Sequence, residues 1–441
     1  MNLKQYITDE NRNLEEQTLE FRPADDWVPI QLRIDEKTEY QKVIGLGGAL
    51  TEASAYVWSK MSKENQEKMI DLYFGKDKAS YNFCRLHIQS CDFALGNYAY
   101  VSDPNDKELK TFSIERDKKY IIPFVKAALA KNPDIEFLAS PWSPPAFMKT
   151  NNDMNHGGKL KKEYYGMWAD MVAKFVKTYR EEGINITRLT VQNEPAAVQT
   201  WDSCIYSAED ERDFACGYLK KALKKAGCKD VKINVWDHNK EMLVERAKGS
   251  LSTPEALKKI DGIAFHWYSG DYFESVAEVA KLFPGKELIF TEGCVEYSRD
   301  KNGSQISRAE RYAHDMLGNF LNGMNGFLDW NVILDSEGGP NHVKNFCDAP
   351  IMCDEEKDTV DVHKSYYYIR HFSQFVKKGA VRIWSGRSVD SFEAVAFKNP
   401  DGSVACIVLN KNDKDADFGL VDDGKQVNIK APAHSIQTLV W

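Results

Sequence analysis

Eight short apolar runs, rich in β-branched and aromatic residues and separated by stretches of helical periodicity, limit what this chain can fold into more than any other feature. They fall at 43–47, 81–86, 136–140, 188–192, 232–236, 263–267, 288–291 and 326–330. Strands alternating with helices over some three hundred residues fit a (β/α)₈ barrel of ordinary size. Between the third and fourth runs, Tyr164, Trp168, Met171, Phe175 and Tyr179 draw one apolar stripe on a helix that stops near Gly183. After the fourth, Ser207 and Asp210 make a capping box; Ala215, Leu219, Ala222 and Ala226 form the buried face and Gly227 ends the helix. The last helix is expected over Val362 to Lys378. An open doubly wound sheet has the same alternation, but it places a phosphate-binding GxGxxG after its first strand. Here Gly45-Leu46-Gly47-Gly48-Ala49 lacks the third glycine, and Glu52 follows where an anion needs donors.

Both ends of the chain read differently. From Ala380 the pattern is alternating strand and turn, with strands at 380–385, 392–397, 404–409 and 434–441. Thr18 to Phe21 and the alternation Val28, Ile30, Leu32, Ile34 read as strands before the barrel. The expected organisation is a catalytic barrel over 40–378 and a β-sandwich built from 1–39 plus 379–441, since the termini of a compact chain often lie close together.

The 441 residues carry 66 acidic against 58 basic side chains, a net charge of −8 with no basic face to bind nucleic acid. No run of eighteen apolar residues predicts a membrane span, and Met1 to Asn13 lacks the apolar segment of an export signal, so a cytoplasmic protein is expected. The nine cysteines are scattered and form no CxxC pair, which favours free thiols. Cys294 could be a nucleophile, but a small buried hydrophobe is the better reading. No histidine spacing suggests a metal, and no cofactor is expected. Oligomeric state is not legible.

A barrel of this kind carries its site at the C-terminal strand ends. Those ends hold Arg85 and His87 with Asp92, Ser140 with Trp142, Asn193 with Glu194, Asp237 with His238, His266-Trp267-Tyr268, Thr291-Glu292 and Asp329-Trp330-Asn331. All are expected to face one mouth. Glu194 and Glu292 then oppose each other across the opening, the arrangement glycoside hydrolysis needs; retention requires carboxyl groups about 5 Å apart. One must hold a proton near neutral pH and the other must stay ionised, which Arg85 and the Tyr268 hydroxyl would favour. Trp142, Trp267 and Trp330 supply flat walls for a pyranose, and Asp92, Asn193 and Asn345 suit its hydroxyls. Singly, each of these other residues reads as readily as a structural one; their convergence at seven strand ends argues for a site.

These residues resemble glycoside hydrolase family 30, in its glucosylceramidase-like branch. Gly45 to Ala53, Ser90-Cys91-Asp92-Phe93, Leu138 to Pro144, Asn193-Glu194-Pro195, His266-Trp267-Tyr268, Asp329-Trp330-Asn331, Glu337 to Asn341 and Asn345-Phe346 carry the likeness over essentially the whole chain. The resemblance implies a β-sandwich beside the barrel, Glu194 as acid/base oriented by Asn193, and Glu292 as nucleophile held by Tyr268 and Arg85. It implies that Asp92 and Trp142 bind hydroxyls of the non-reducing sugar, that Trp330 stacks beneath it, and that His266 and Asn345 line the pocket. Retaining hydrolysis of a terminal β-linked glucosyl residue from a carbohydrate substrate follows. An endo-β-1,6-glucanase, a β-xylosidase and a β-fucosidase-like enzyme share the same pair, and a carbohydrate-binding protein without catalysis is the alternative from another class. His342 stands where the lysosomal members carry Trp, and Tyr297 to Gln305 differ from theirs, so ceramide is not carried over as leaving group. Trp201 reads equally as a platform for a second sugar and as a loop anchor.

Overall fold

A computed structural model describes residues 2–24 and 30–441. The eight central strands are β1 (Gly45–Ala49), β2 (Phe83–Ile88), β3 (Glu136–Pro141), β4 (Ile186–Thr190), β5 (Lys232–Asn239), β6 (Gly262–His266), β7 (Glu287–Glu292) and β8 (Gly326–Asn331). Each pairs in parallel with its chain neighbours, and β8 closes on β1. A strand buried on both faces has no reason to alternate polar and apolar residues, which is why these segments read as near-continuous apolar runs. β1 is mostly glycine because its neighbours approach closely: a Cβ on Gly47 would stand 1.8 Å from the Phe83 carbonyl oxygen.

The helix Tyr165–Glu181 buries Trp168, Met171, Phe175 and Tyr179 on one face; Tyr164 sits half-buried in the 3₁₀ turn before it. The Ser207–Asp210 capping box forms at Ala208–Phe214, and Gly227 ends that helical run at φ +81°. The last helix, Lys364–Ser373, is shorter than its periodicity predicts. Val362 belongs instead to a strand, Thr359–Val362, of a small sheet with Ile333–Asp335 and Ile351–Asp354 that the sequence did not announce. That sheet roots the 336–350 loop beside the barrel mouth.

The second domain is a β-sandwich built from both termini, its ten strands hydrogen-bonded in one continuous order. Strands at Val381–Arg387, Glu393–Lys398, Val404–Asn410 and Ser435–Val440 match the expected ones, as do Glu15–Glu20 and Gln31–Lys42. Val28 lies outside the described residues. Four strands were not foreseen, one of them the two-residue Arg22–Pro23. Asn2–Thr8 looks polar, yet Leu3, Gln5 and Ile7 all point inward. Ala416–Asp422 and Lys425–Ala431 form a hairpin turning at Asp423-Gly424, both at positive φ. Their alternation Phe418, Leu420 against Val427, Ile429 around Asp-Gly is a hairpin signal in plain view. Among the described residues no helix is long and apolar enough to cross a membrane.

Candidate active site

At the C-terminal mouth of the barrel a cavity of about 300 Å³ is lined by Asp92, Trp142, Asn193, Glu194, Tyr268, Glu292, Trp330 and Asn345 among others. Chain direction explains who is there. Along β6 and beyond, His266 and Tyr268 turn inward while Trp267 turns out; it packs between Phe290, Tyr312 and the Arg311 guanidinium, with its indole N–H donating to the Cys294 carbonyl. Trp267 is therefore a wall of the helix layer and not of the sugar pocket, contrary to the expectation, because successive strand residues face opposite sides. Asp329 and Asn331 also miss the mouth: Asp329 is buried behind β8 and Asn331 meets the Thr51 hydroxyl.

Arg85, fully buried, organises the floor. Its guanidinium reaches Glu292 at 2.6 Å, Asp237 at 2.9 Å and the Asn193 side-chain oxygen at 2.9 Å. It lies over the rings of Trp142 and Trp330, which stack on each other at 5.1 Å. Asp237, which the sequence placed at the mouth without assigning it a role, is the hub of the floor. It accepts from Arg85, Thr190 and Thr291 and pairs with His266, so its carboxyl is held well below the usual range: burial opposes this, but the Arg85 charge and the His266 hydrogen bond outweigh it. Its only advance signal was an acid at the end of β5, where Trp236 and Asp237 both take positive φ and the ladder to β6 slips.

Glu194 also takes positive φ, 47°, and its amide donates to the Asp237 carbonyl. A non-glycine residue held there costs about 1 kcal/mol or more, and such strain gathers at functional positions. One Glu194 oxygen is 3.3 Å from His266 Nδ1 and 3.7 Å from His238 Nε2; the other accepts from Gln199 at 3.4 Å. Glu292 accepts from the Tyr268 hydroxyl at 3.0 Å as well as from Arg85. An oxygen of each glutamate and a ring nitrogen of His266 lie within 4.8 Å of one another. That places the carboxylates at the separation of a double-displacement pair, not the wider gap that leaves room for a water. Three such donors could also embrace a divalent cation, but the Arg85 charge already on Glu292 works against one.

Two domain models of the family match. The glycosyl hydrolase family 30 TIM-barrel domain covers residues 43–376, and the family's β-sandwich domain covers 379–439. The chain belongs to glycoside hydrolase family 30. It is 34% identical over 430 residues to the lysosomal acid glucosylceramidase of Mus musculus, covering 93% of this chain and 83% of that one. The crystal structure of SrfJ from Salmonella typhimurium is similar over 100% of this chain and 99% of its own, with TM-score 0.98 and 41% identity. The endo-beta1,6-glucanase BT3312 is similar over 100% and 99%, with TM-score 0.91 and 27% identity. This family 30 protein is thus a glycoside hydrolase, a retaining β-glycosidase.

The electrostatics of the site favour a proton on His266 over one on Glu194. Burial alone would lower His266, but the charge of Glu292 and hydrogen bonds to Asp237 and Glu194 raise it to about 9. Burial opposes ionisation of Glu194, yet the His238 and His266 interactions bring it to about 2. Burial raises Glu292, opposed by His266 and Arg85 and reinforced by the negative charge of Glu194. At neutral pH the proton therefore rests on His266, 3.3 Å from Glu194. Moving it across leaves the net charge unchanged: Glu292 is freed of the repulsion of Glu194 but gives up the larger attraction of the charged His266, and Arg85 remains its counter-charge. Replacing His266 with Asn should shift the basic limb of the kcat/KM pH profile down by more than one unit, because the shared proton is then held by Glu194 alone. A basic limb that stays in place would show that His266 holds no such proton.

Asp92 is buried and its carboxyl is pushed up by burial and by Glu292 and Glu194; Asn341, which carries the family likeness but was given no role, donates to it at 3.3 Å. His266 is buried behind Glu194 and does not reach the cavity lining. His238, expected at the mouth, does, as do Asn239 beside it and Gln199, Glu296, Ser298 and Arg299, which were not singled out. Cys294 lines the pocket too, but a hydrogen bond with Cys347 and burial hold its thiol well above the ordinary value, so it offers no thiolate.

Proposed function

We propose that this protein removes a terminal β-linked glucosyl residue from a glucoside or oligosaccharide with net retention, Glu292 attacking the anomeric carbon and Glu194 serving as acid and then base. The observation that carries the reading is the pair of carboxylates within 4.8 Å at the end of one compact cavity. The sugar sits against the stacked Trp142 and Trp330, its hydroxyls meeting Asp92, Asn193 and Asn345. Arg85 and Tyr268 hold Glu292 ionised and aimed. As the glycosidic oxygen departs it takes the proton that Glu194 draws from His266; water then enters on the same side, Glu194 takes its proton, and the glycosyl ester on Glu292 is cleaved.

Glucose is favoured by the likeness to a glucosylceramidase and an endo-beta1,6-glucanase. The catalytic unit is taken as 40–378, with 1–39 and 379–441 as the sandwich. Nine buried cysteines, none in a disulfide, support work in a reducing compartment such as the cytoplasm. A panel of 4-nitrophenyl β-glucoside, β-xyloside and β-fucoside tests the sugar. The glucoside should show the highest kcat/KM; a higher value for either of the others would displace glucose.

A further inference from the structure

Asp92, Trp142 and Trp330, which the glucosyl ring meets on the reading above, make up only part of the cavity lining. Another part lies near Glu194, where the leaving group must depart: Gln199 bonds to Glu194, and Glu296 feels its charge. Its wall comes from two loops. From the loop after β4 come Gln199, bonded to Glu194, and the half-buried Trp201; from the loop after β7 come Glu296, Ser298 and Arg299. Arg299 pairs with Glu296 at 2.9 Å, the carboxylate largely sheltered at 17% exposure and the guanidinium open at 70%. Burial and the negative charge of Glu194 raise the Glu296 carboxyl, with Arg299 opposing.

We infer that Glu296 and Arg299 form a binding subsite for a sugar leaving group, so that β-linked oligosaccharides are preferred over lipid glucosides. This rests on the glycosidase reading above. A carboxylate takes hydrogen bonds from sugar hydroxyls, a guanidinium donates to their oxygens, and the Trp201 ring offers a face to the C–H side of a second pyranose. An alkyl chain in the same place would cover the ion pair without replacing its water, a desolvation penalty that no contact returns. A subsite of this kind acts by rejecting leaving groups that cannot bond to it.

The test measures kcat/KM for the fastest-cleaved of gentiobiose, laminaribiose and cellobiose, divided by that for 4-nitrophenyl β-glucoside. The comparison uses wild type, the isosteric Glu296→Gln and Arg299→Ala, whose exposed side chain is not needed for folding. The ratio should fall at least five-fold in both variants. A smaller fall in either one overturns the assignment, as does a wild type that prefers octyl β-glucoside to all three disaccharides. A wild type inert toward every β-glucoside would instead remove the glucosidase reading, and this subsite with it.

Discussion

Glu292→Gln should lower kcat/KM on 4-nitrophenyl β-glucoside by about 10⁴-fold or more, the scale on which a lost nucleophile is felt. The amide keeps the size of the side chain and can still accept from Tyr268, so the fold is expected to stay. It cannot form the ester to the anomeric carbon. It also leaves the Arg85 guanidinium, 2.6 Å from the wild-type oxygen, facing a neutral group. Arg85 keeps Asp237 as a buried counter-charge at 2.9 Å, so the variant is not left with an unpaired cation. Measured activity of the variant equal to wild type would mean that no bond forms at Glu292.

Glu194→Ala should behave differently on different leaving groups. With a natural glucoside, whose alkoxide departs poorly without a proton, hydrolysis should fall by about 10²–10⁴-fold, the usual worth of general acid catalysis. With an activated aryl glucoside the first step needs little protonation, and the glycosyl-enzyme should accumulate. Azide requires no base to attack, so it should restore turnover and give β-glucosyl azide. An α-azide product would mean a single displacement and would contradict retention. The removed carboxylate also frees His266 and His238 of a partner, so the pH profile of the variant should lose its dependence on the shared proton.

The fold was legible because a barrel imposes its period on the chain. Continuous apolar runs mark the doubly buried strands, and the Trp168 stripe and the Ser207 cap mark helices. What escaped was written in weaker signals: the Asn2–Thr8 strand buries Gln5 beside Leu3 and Ile7, and the small sheet near 351 uses strands of four residues or fewer. In the site, residues fixed by strand position were readable, namely Glu194, Glu292, Arg85 and Asp92. Trp267 was misplaced because only the register decides which of two adjacent residues faces inward. Asp237 and Asn341 were given no role because their importance lies in the charges and hydrogen bonds around them, and these exist only once distant strands meet. The loop residues Glu296 and Arg299 had no periodicity to locate them.

In the proposed mechanism Glu292 carries the sugar between the two half-reactions. Incubation with an activated 2-deoxy-2-fluoro-β-glucoside, which slows the second step, followed by proteolysis and mass spectrometry, should give one peptide heavier by a fluoroglucosyl group, with the label on Glu292. A label on Glu194 or any other side chain, or full inactivation without a covalent adduct, would contradict it.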